Sequence, residues 1–153
     1  MFAASVVTLG DNLQQLVDEI NQASWDAANE ISEYDVAALS TYLERPDTVF
    51  VACHEVTDDG RTLLGMASAR VELKPSGNER WLYVDEVDVC ADQRRRGAGK
   101  AIMRKLIELA QEAGCKEVWL GAEQDNHAAN ALYQSLDPAD VTHVIGYTYE
   151  ILD

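Results

Sequence analysis

The sequence predicts an α/β (α+β) fold: a mixed, mostly antiparallel central sheet with helices on both faces, in the element order ααβββαβαβ. Three observations predict it. Two stretches of helical apolar periodicity come before Pro46, three strand-like runs joined by short turns fill residues 48–90, and a helix–strand–helix–strand succession follows. With 153 residues and no internal repeat, one domain spanning 1–153 is expected.

Leu13, Leu16, Val17 and Ile20 recur at helical spacing after Asp11, which is suited to cap a helix start, so a first helix begins there. Ser32 and Asp35 form a loose capping box ahead of Val36, Leu39 and Leu43, a second helix that Pro46 must end. The runs TVFVACHE, TLLGMASARVEL and WLYVDEVDVC are separated by the turns DDG (58–60) and PSGN (75–78), which makes them an antiparallel meander. Ile102, Leu106, Leu109, Ala110 and Ala113 mark one face of a third helix, closed by Gly114. KEVWLGA reads as a short buried strand, residues 126–136 as a fourth helix, and HVIGYTYEI, with Ile145, Tyr147, Tyr149 and Ile151 alternating, as a final strand.

Composition narrows the function. A hydrophobic fraction of 47% with 25% charged residues and three prolines is globular. The net charge of −15 excludes a nucleic-acid partner, which requires a basic face. The start, MFAASVVTLGDN, lacks a basic n-region, and no run approaches the roughly 20 apolar residues that span a bilayer, so no membrane association is expected. Cys53, Cys90 and Cys115 are odd in number and form no CxxC pair; neither a disulfide framework nor a metal site is expected, and a reduced, cytoplasmic protein is. The charge is unevenly spread. Residues 1–60 hold twelve Asp and Glu against one cation, Arg45, whereas six of the twelve Lys and Arg lie between Arg94 and Lys105.

That basic island, CADQRRRGAGK (90–100), joins a strand to a helix through a glycine-rich turn. The first N–H groups of a helix lack internal partners, and the peptide dipoles add positive potential there, so such a junction suits an anion. Gly97 and Gly99 allow close backbone approach, and Arg94, Arg95, Arg96 and Lys100 add charge. A P-loop would need glycine at 94 and Ser or Thr at 101, where Arg94 and Ala101 stand; a dinucleotide fingerprint would need a small residue at 102, which is Ile102. A solvated arginine cluster in an ordinary turn is the other reading of these residues.

The sequence resembles the GNAT superfamily of acetyl-CoA-dependent N-acetyltransferases. One signature of that family is matched by Arg94, Gly97 and Gly99 at the strand–helix junction, and a second by Asn126, Ala129, Leu132 and Tyr133. The resemblance implies that the backbone of Arg94, Arg95, Arg96, Gly97, Ala98, Gly99 and Lys100 cradles the coenzyme A diphosphate. It implies that the main chain of Val87, Asp88 and Val89 pairs with the pantetheine arm, with Asn126, Ala129 and Tyr133 also at the cofactor. It is compatible with a homodimer, the usual assembly in that family.

Acetyl transfer needs a neutral amine and a proton for the departing thiolate. The resemblance implies Tyr133 as the acid, whose phenol has an ordinary pKa near 10. The resemblance also implies that the base lies on the strand before the glycine turn. In YVDEVDV strict alternation puts Tyr83, Asp85, Val87 and Val89 on one side and Val84, Glu86 and Asp88 on the other. Glu86 is the favoured base, with Asp88, Asp85 and Glu123 as rivals; all four could instead bind substrate or be solvated. Asp85, Asp88, Glu123 and Asp125 are the expected substrate contacts. His54, His127 and His143 are weaker candidates, and Cys90 reads as packing.

In the resembled fold the N-terminal helices and the segments after the later strands wall the acceptor site, and in this chain those are the acidic flanks. They suit a cationic small-molecule amine, a polyamine or an aminoglycoside. YLERPDTVFVACHE, WLYVDEVDV, QRRRGAG and ALYQSL are similar to the aminoglycoside 3-N-acetyltransferase branch, while SLDPAD after Tyr133 and GAEQDNHAA depart from it. Three functions stand open at this level: an aminoglycoside N-acetyltransferase, an acetyltransferase of a polyamine, peptide amine or other amine metabolite, and a non-catalytic acyl-CoA-binding module.

Overall fold

A computed structural model describes residues 2–152, which fall into a larger unit, Met1–Leu120, and a smaller one, Gly121–Asp153. The larger unit is a five-stranded sheet: β1 (Phe2–Val6), β2 (Thr48–Thr57), β3 (Gly60–Leu73), β4 (Arg80–Val89) and β5 (Cys115–Trp119), in spatial order β1-β2-β3-β4-β5. The first three pairings are antiparallel and β4–β5 is parallel, so the sheet is mixed and mostly antiparallel.

Two helices cover one face. Helix α1 (Leu13–Gln22) is capped by Asn12, whose side chain accepts from the Gln15 N–H at 3.1 Å. The expected cap, Asp11, instead closes the preceding turn, accepting from the Thr8 N–H at 2.7 Å. Helix α2 (Val36–Glu44) is capped by Asp35 itself, which accepts from the Ala38 N–H at 2.8 Å and so takes the place expected for Ser32 in a capping box, and it ends ahead of Pro46. Leu13, Leu16, Val17 and Ile20 of α1 and Leu39 of α2 are buried against Phe50, Ala52, Leu63, Met66 and Cys90 of the sheet side. Burying each large aliphatic side chain contributes about 1.5–3 kcal/mol, which the low intrinsic stability of helices this short requires.

Helix α3 (Ala98–Glu112) lies on the opposite face. Its Ile102 Cδ1 would stand 3.0 Å from a Cβ at Gly65, whereas the next residue along β3, Met66, belongs to the α1/α2 cluster. Ile102, Met103, Leu106 and Ala110 are its buried stripe, and Gly114, at φ +74°, ends it. Helices therefore occupy both faces, as the sequence predicts.

Two expectations are corrected. A strand the periodicity did not reveal, β1, pairs with β2 from Phe2↔Glu55 to Val6↔Val51; FAASV carries small residues and weak alternation, and it is the free edge of β2 that makes it a strand. The expected final strand over 143–151 is in no helix or strand. Alternation shows that a segment has two unlike faces, but a strand also needs a neighbour for its backbone groups, and among the described residues none pairs with 143–151. Val141, Val144, Ile145, Tyr147, Tyr149, Ile151 and Leu152 are all exposed. In the smaller unit the regular element is helix α4 (His127–Gln134). Among the described residues no helix is long and apolar enough to cross a membrane.

Candidate active site

The feature that sets up the site is a break in β4. Ser68 pairs with Glu86 but Ala69 pairs with Val84, so Asp85 is an extra residue inserted into the ladder. The insertion corrects the strict alternation expected for YVDEVDV. Beyond the bulge Glu86 lies opposite Ser68 and Asp88 opposite Met66, on the α1/α2 face. Before it Val84 lies opposite Ala69 and Leu82 opposite Val71, on the α3 face. Asp85 and Glu86, neighbours in sequence, consequently line the same cleft.

That cleft, about 380 Å³, is bounded by α2, the residues just before it, and the middle of β2, β3 and β4. Tyr34, Tyr42 and Phe50 give it an aromatic wall, with both tyrosines meeting Phe50 edge-on at 6.2 and 6.3 Å between centroids. Asn21 holds the segment carrying Tyr34, donating to the Tyr34 carbonyl and accepting from its N–H, each at 2.9 Å. The Tyr42 hydroxyl lies 2.9 Å from the carbonyl oxygens of both Val49 and Ala69, which ties α2 to the strands beside the bulge. Four carboxylates, Glu33, Asp35, Asp85 and Glu86, face this wall. Two are committed: Asp35 caps α2, and Asp85 is ion-paired with Arg70, which also pairs with Glu72.

Asp88 is 7% exposed, and its Oδ2 accepts no hydrogen bond. Burial first, then the charge of Glu86 and a hydrogen-bonding relation to it, push the Asp88 carboxyl up to about 7. Burial, helped by the charges of Glu86 and Asp88, pushes the Tyr34 phenol up to about 12, so it stays protonated. Cys90 is packing: its thiol donates to the Leu63 carbonyl at 3.3 Å, and burial lifts its pKa to about 12. His54 is an interior tie, its Nε2 3.2 Å from Glu19 Oε1, while Arg61 also grips Glu19; burial lowers its pKa.

The glycine turn follows β4. Gly97 is the N-cap of α3 at φ +88°, and Arg95 also has a positive φ of 64°. No side chain caps α3 and no acid stands in its first turn, so the helix presents N–H groups and positive potential without competition. Arg94 is paired with Asp26 at 3.0 Å, and Arg96 is paired with Glu55 and donates to Gln93. Among the described residues Arg95 and Lys100 make no ion pair. β5 pairs with β4 only over Arg80–Tyr83, so among the described residues no strand pairs with the edge of Val87, Asp88 and Val89 on that side. An unpaired strand edge leading to an uncapped helix start fits a ligand with an amide-bearing arm and a diphosphate.

In the smaller unit, Asn126 caps α4 by accepting from the Ala129 N–H at 3.1 Å, which explains the Asn–x–x–Ala spacing as local helix chemistry. Asn130 donates to the carbonyls of Glu123 and Asn126 at 2.9 and 2.8 Å. Tyr133 is in the last turn of α4, where its carbonyl accepts from the Leu136 N–H at 3.2 Å. The carboxylates of Glu123 and Asp125 are on exposed residues of the segment before it.

Sequence reasoning did not single out Tyr34, Tyr42, Phe50, Glu33 or Arg70, and it read Asp35 only as part of a helix cap. Tyr42 stands four residues after Ala38, a spacing that shares a helix face, but nothing local to YVDEVDV signals the bulge.

A mixed sheet whose fourth and fifth strands part beside a glycine-started helix defines an acyl-CoA-dependent acyltransferase class of fold. The chain belongs to the Acetyltransferase (GNAT) family, whose model matches residues 13–137, and acetyl-CoA is the acyl donor of that family. It is 33% identical over 85 residues to N-acetyltransferase family 8 member 3 of Mus musculus, covering 56% of this chain and 38% of that one. It is 27% identical over 142 residues to mycothiol acetyltransferase of Renibacterium salmoninarum, covering 88% and 42%. The chain thus spans about two-fifths of the length of these curated relatives. Its fold matches that of the aminoglycoside acetyltransferase meta-AAC0020, from an uncultured soil metagenomic sample and in complex with sisomicin, with a TM-score of 0.82 at 16% identity over 99% of this chain and 97% of that one.

Proposed function

We propose that this chain is an acetyl-CoA-dependent N-acetyltransferase acting on a primary amine of a cationic small molecule, with an aminoglycoside as the favoured acceptor and its 3-amino group as the favoured position. The observation that carries the reading is the acidic, aromatic cleft placed against the same strand whose other edge leads to the α3 start. A cation is drawn to Glu33 and Glu86, and its carbon skeleton rests on Tyr34, Tyr42 and Phe50. The likeness of fold to an acetyltransferase bound to sisomicin supports an aminoglycoside acceptor.

When bound, acetyl-CoA supplies an activated acetyl thioester. The N–H groups of residues 98–100, with Arg95 and Lys100, hold its diphosphate, and the open edge of Val87–Val89 receives the arm. Glu86, exposed in the cleft and bound in no ion pair among the described residues, is the base that takes the amine proton. Tyr133 is the acid that protonates the thiolate. The exposed apolar residues between Val141 and Leu152 favour a homodimer, which sedimentation would register as twice the chain mass.

The test is thiol release from acetyl-CoA against gentamicin, kanamycin, spermidine and a peptide amine. Release with an aminoglycoside, lost in Glu86→Gln and Tyr133→Phe, is the expected result. Release with spermidine or the peptide alone replaces the acceptor class, and calorimetric binding of acetyl-CoA without turnover on any amine replaces catalysis with a binding module. Product analysis by NMR identifies the nitrogen.

A further inference from the structure

Acetylating an ammonium group removes two protons from nitrogen. One leaves before the lone pair can attack, and the other leaves as the C–N bond forms and the C–S bond breaks. The sulfur takes one proton from the acid, so the protein must accept both nitrogen protons near the amine, return one to the acid by way of solvent, and release the other.

One carboxylate holds one proton, and this strand brings two together. Glu86 and Asp88 stand two residues apart on the same face of β4, past the bulge. Glu86 is exposed and lines the cleft, whereas Asp88 is buried with an oxygen that accepts no hydrogen bond. Two carboxylates cannot satisfy each other, but a carboxylate and a carboxylic acid can, so a proton between them would complete the hydrogen bonding of the buried partner.

We propose that Glu86 and Asp88 form a proton-sharing carboxyl pair, in which Glu86 meets the ammonium and Asp88, a positioning residue behind it, holds the first proton so that Glu86 is again a carboxylate when the second arrives. The proposal rests on the acetyltransferase reading above. The doubly ionised form of the pair is the one that reacts: it accepts both nitrogen protons and discharges them to solvent after Tyr133 has given its own proton to sulfur and regained one.

The surroundings favour this division. Opposite Asp88 stands Met66, and the neighbouring strand contributes Ala52, so nothing charged on β2 or β3 competes for it. Arg70, the nearest cation on β3, is held by Asp85 and Glu72. Tyr34, from the segment before α2, is the other titratable group that feels both carboxylates, and it stays protonated. Glu33 and Asp35 line the cleft beyond it. Burial and the neighbouring Glu86 charge place the Asp88 titration near neutral pH, where a proton can be both taken and given.

Carbon-13 NMR of the Asp88 carboxyl across pH tests the pair without any turnover. Glu86→Gln, a change at an exposed position, is expected to move the Asp88 titration to lower pH; an unmoved titration overturns the pair. Kinetics test its use. Asp88→Asn is expected to lower kcat/KM roughly a hundredfold for an alkylammonium acceptor and to leave an O-alkylhydroxylamine, neutral at the assay pH, close to the parent rate. Equal losses on both acceptors would mean a structural role and overturn the proposal. Absence of turnover on any amine would defeat the acetyltransferase reading, while the titration would still decide whether the pair exists.

Discussion

Gly65→Ala tests the packing that sets the position of β4. A Cβ built at Gly65 would meet the Asp88 backbone oxygen at 2.7 Å, Ile102 Cδ1 at 3.0 Å and the Val89 Cα at 3.3 Å. Two of the three contacts are backbone atoms of the strand that carries Asp88, so the methyl group cannot be absorbed by turning one side chain; β3 must part from β4 or α3 must lift. Overpacking of this kind costs about 1–3 kcal/mol, and the reduced freedom of the unfolded chain returns about 0.4–1. The net loss is about 1–2 kcal/mol, or roughly 2–8 °C in Tm for a chain of this length. Gly77 is the control. A Cβ there meets nothing within 4 Å, so Gly77→Ala is expected to stay within about 0.5 kcal/mol of the parent or to gain slightly. Calorimetric melting of parent and both variants decides: if Gly65→Ala melts together with Gly77→Ala, close contact at this crossing does not govern the strand.

Asp88 should make stability depend on pH. Its folded carboxyl titrates at about 7 against an ordinary 3.8, so the folded state binds the extra proton, and the stability present at low pH is lost as pH rises through about 7. The parent should therefore lose about 2–3 kcal/mol relative to Asp88→Asn between about pH 5 and pH 8, read from urea unfolding, and parallel curves would refute it. Gly97→Ala places a side chain at φ +88°, a strain of about 1–2 kcal/mol; calorimetry should show roughly tenfold weaker acetyl-CoA binding, and unchanged affinity would remove the turn from the cofactor site. Tyr42→Phe leaves the Val49 and Ala69 carbonyls without their shared donor, and its urea midpoint should reveal a loss of about 1–2 kcal/mol.

Much of this molecule could be read along the chain. Apolar residues three and four apart mark α1 and α3 because a helix faces its core on one side. The caps at Asp35 and Asn126 and the stops at Pro46 and Gly114 are decided by groups within a few residues of each other. The same holds for the anion-ready start of α3, whose glycines and exposed N–H groups are local features. What the linear pattern could not hold were the contacts between distant segments. β1 is a strand because β2 offers it an edge, and residues 143–151 are not one because alternation supplies no partner. The arginine island looked uniform, yet Asp26 and Glu55 engage Arg94 and Arg96 and leave Arg95 and Lys100.

The site itself divides the same way. Charge distribution and the run YVDEVDV by themselves determined that carboxylates stand on the strand before a cofactor-type turn. Only the tertiary structure decided which of them share a face, because the register of β3 against β4 slips by one residue at Asp85, and with a side-chain period of two a slip of one reverses every position beyond it. That slip brings Asp85 to the cleft beside Glu86, and burial on the Met66 side then separates Asp88 from Glu86 in solvent access and raises the Asp88 carboxyl pKa. Residue types travel with the sequence, whereas solvent exposure and strand register are properties of the packed sheet.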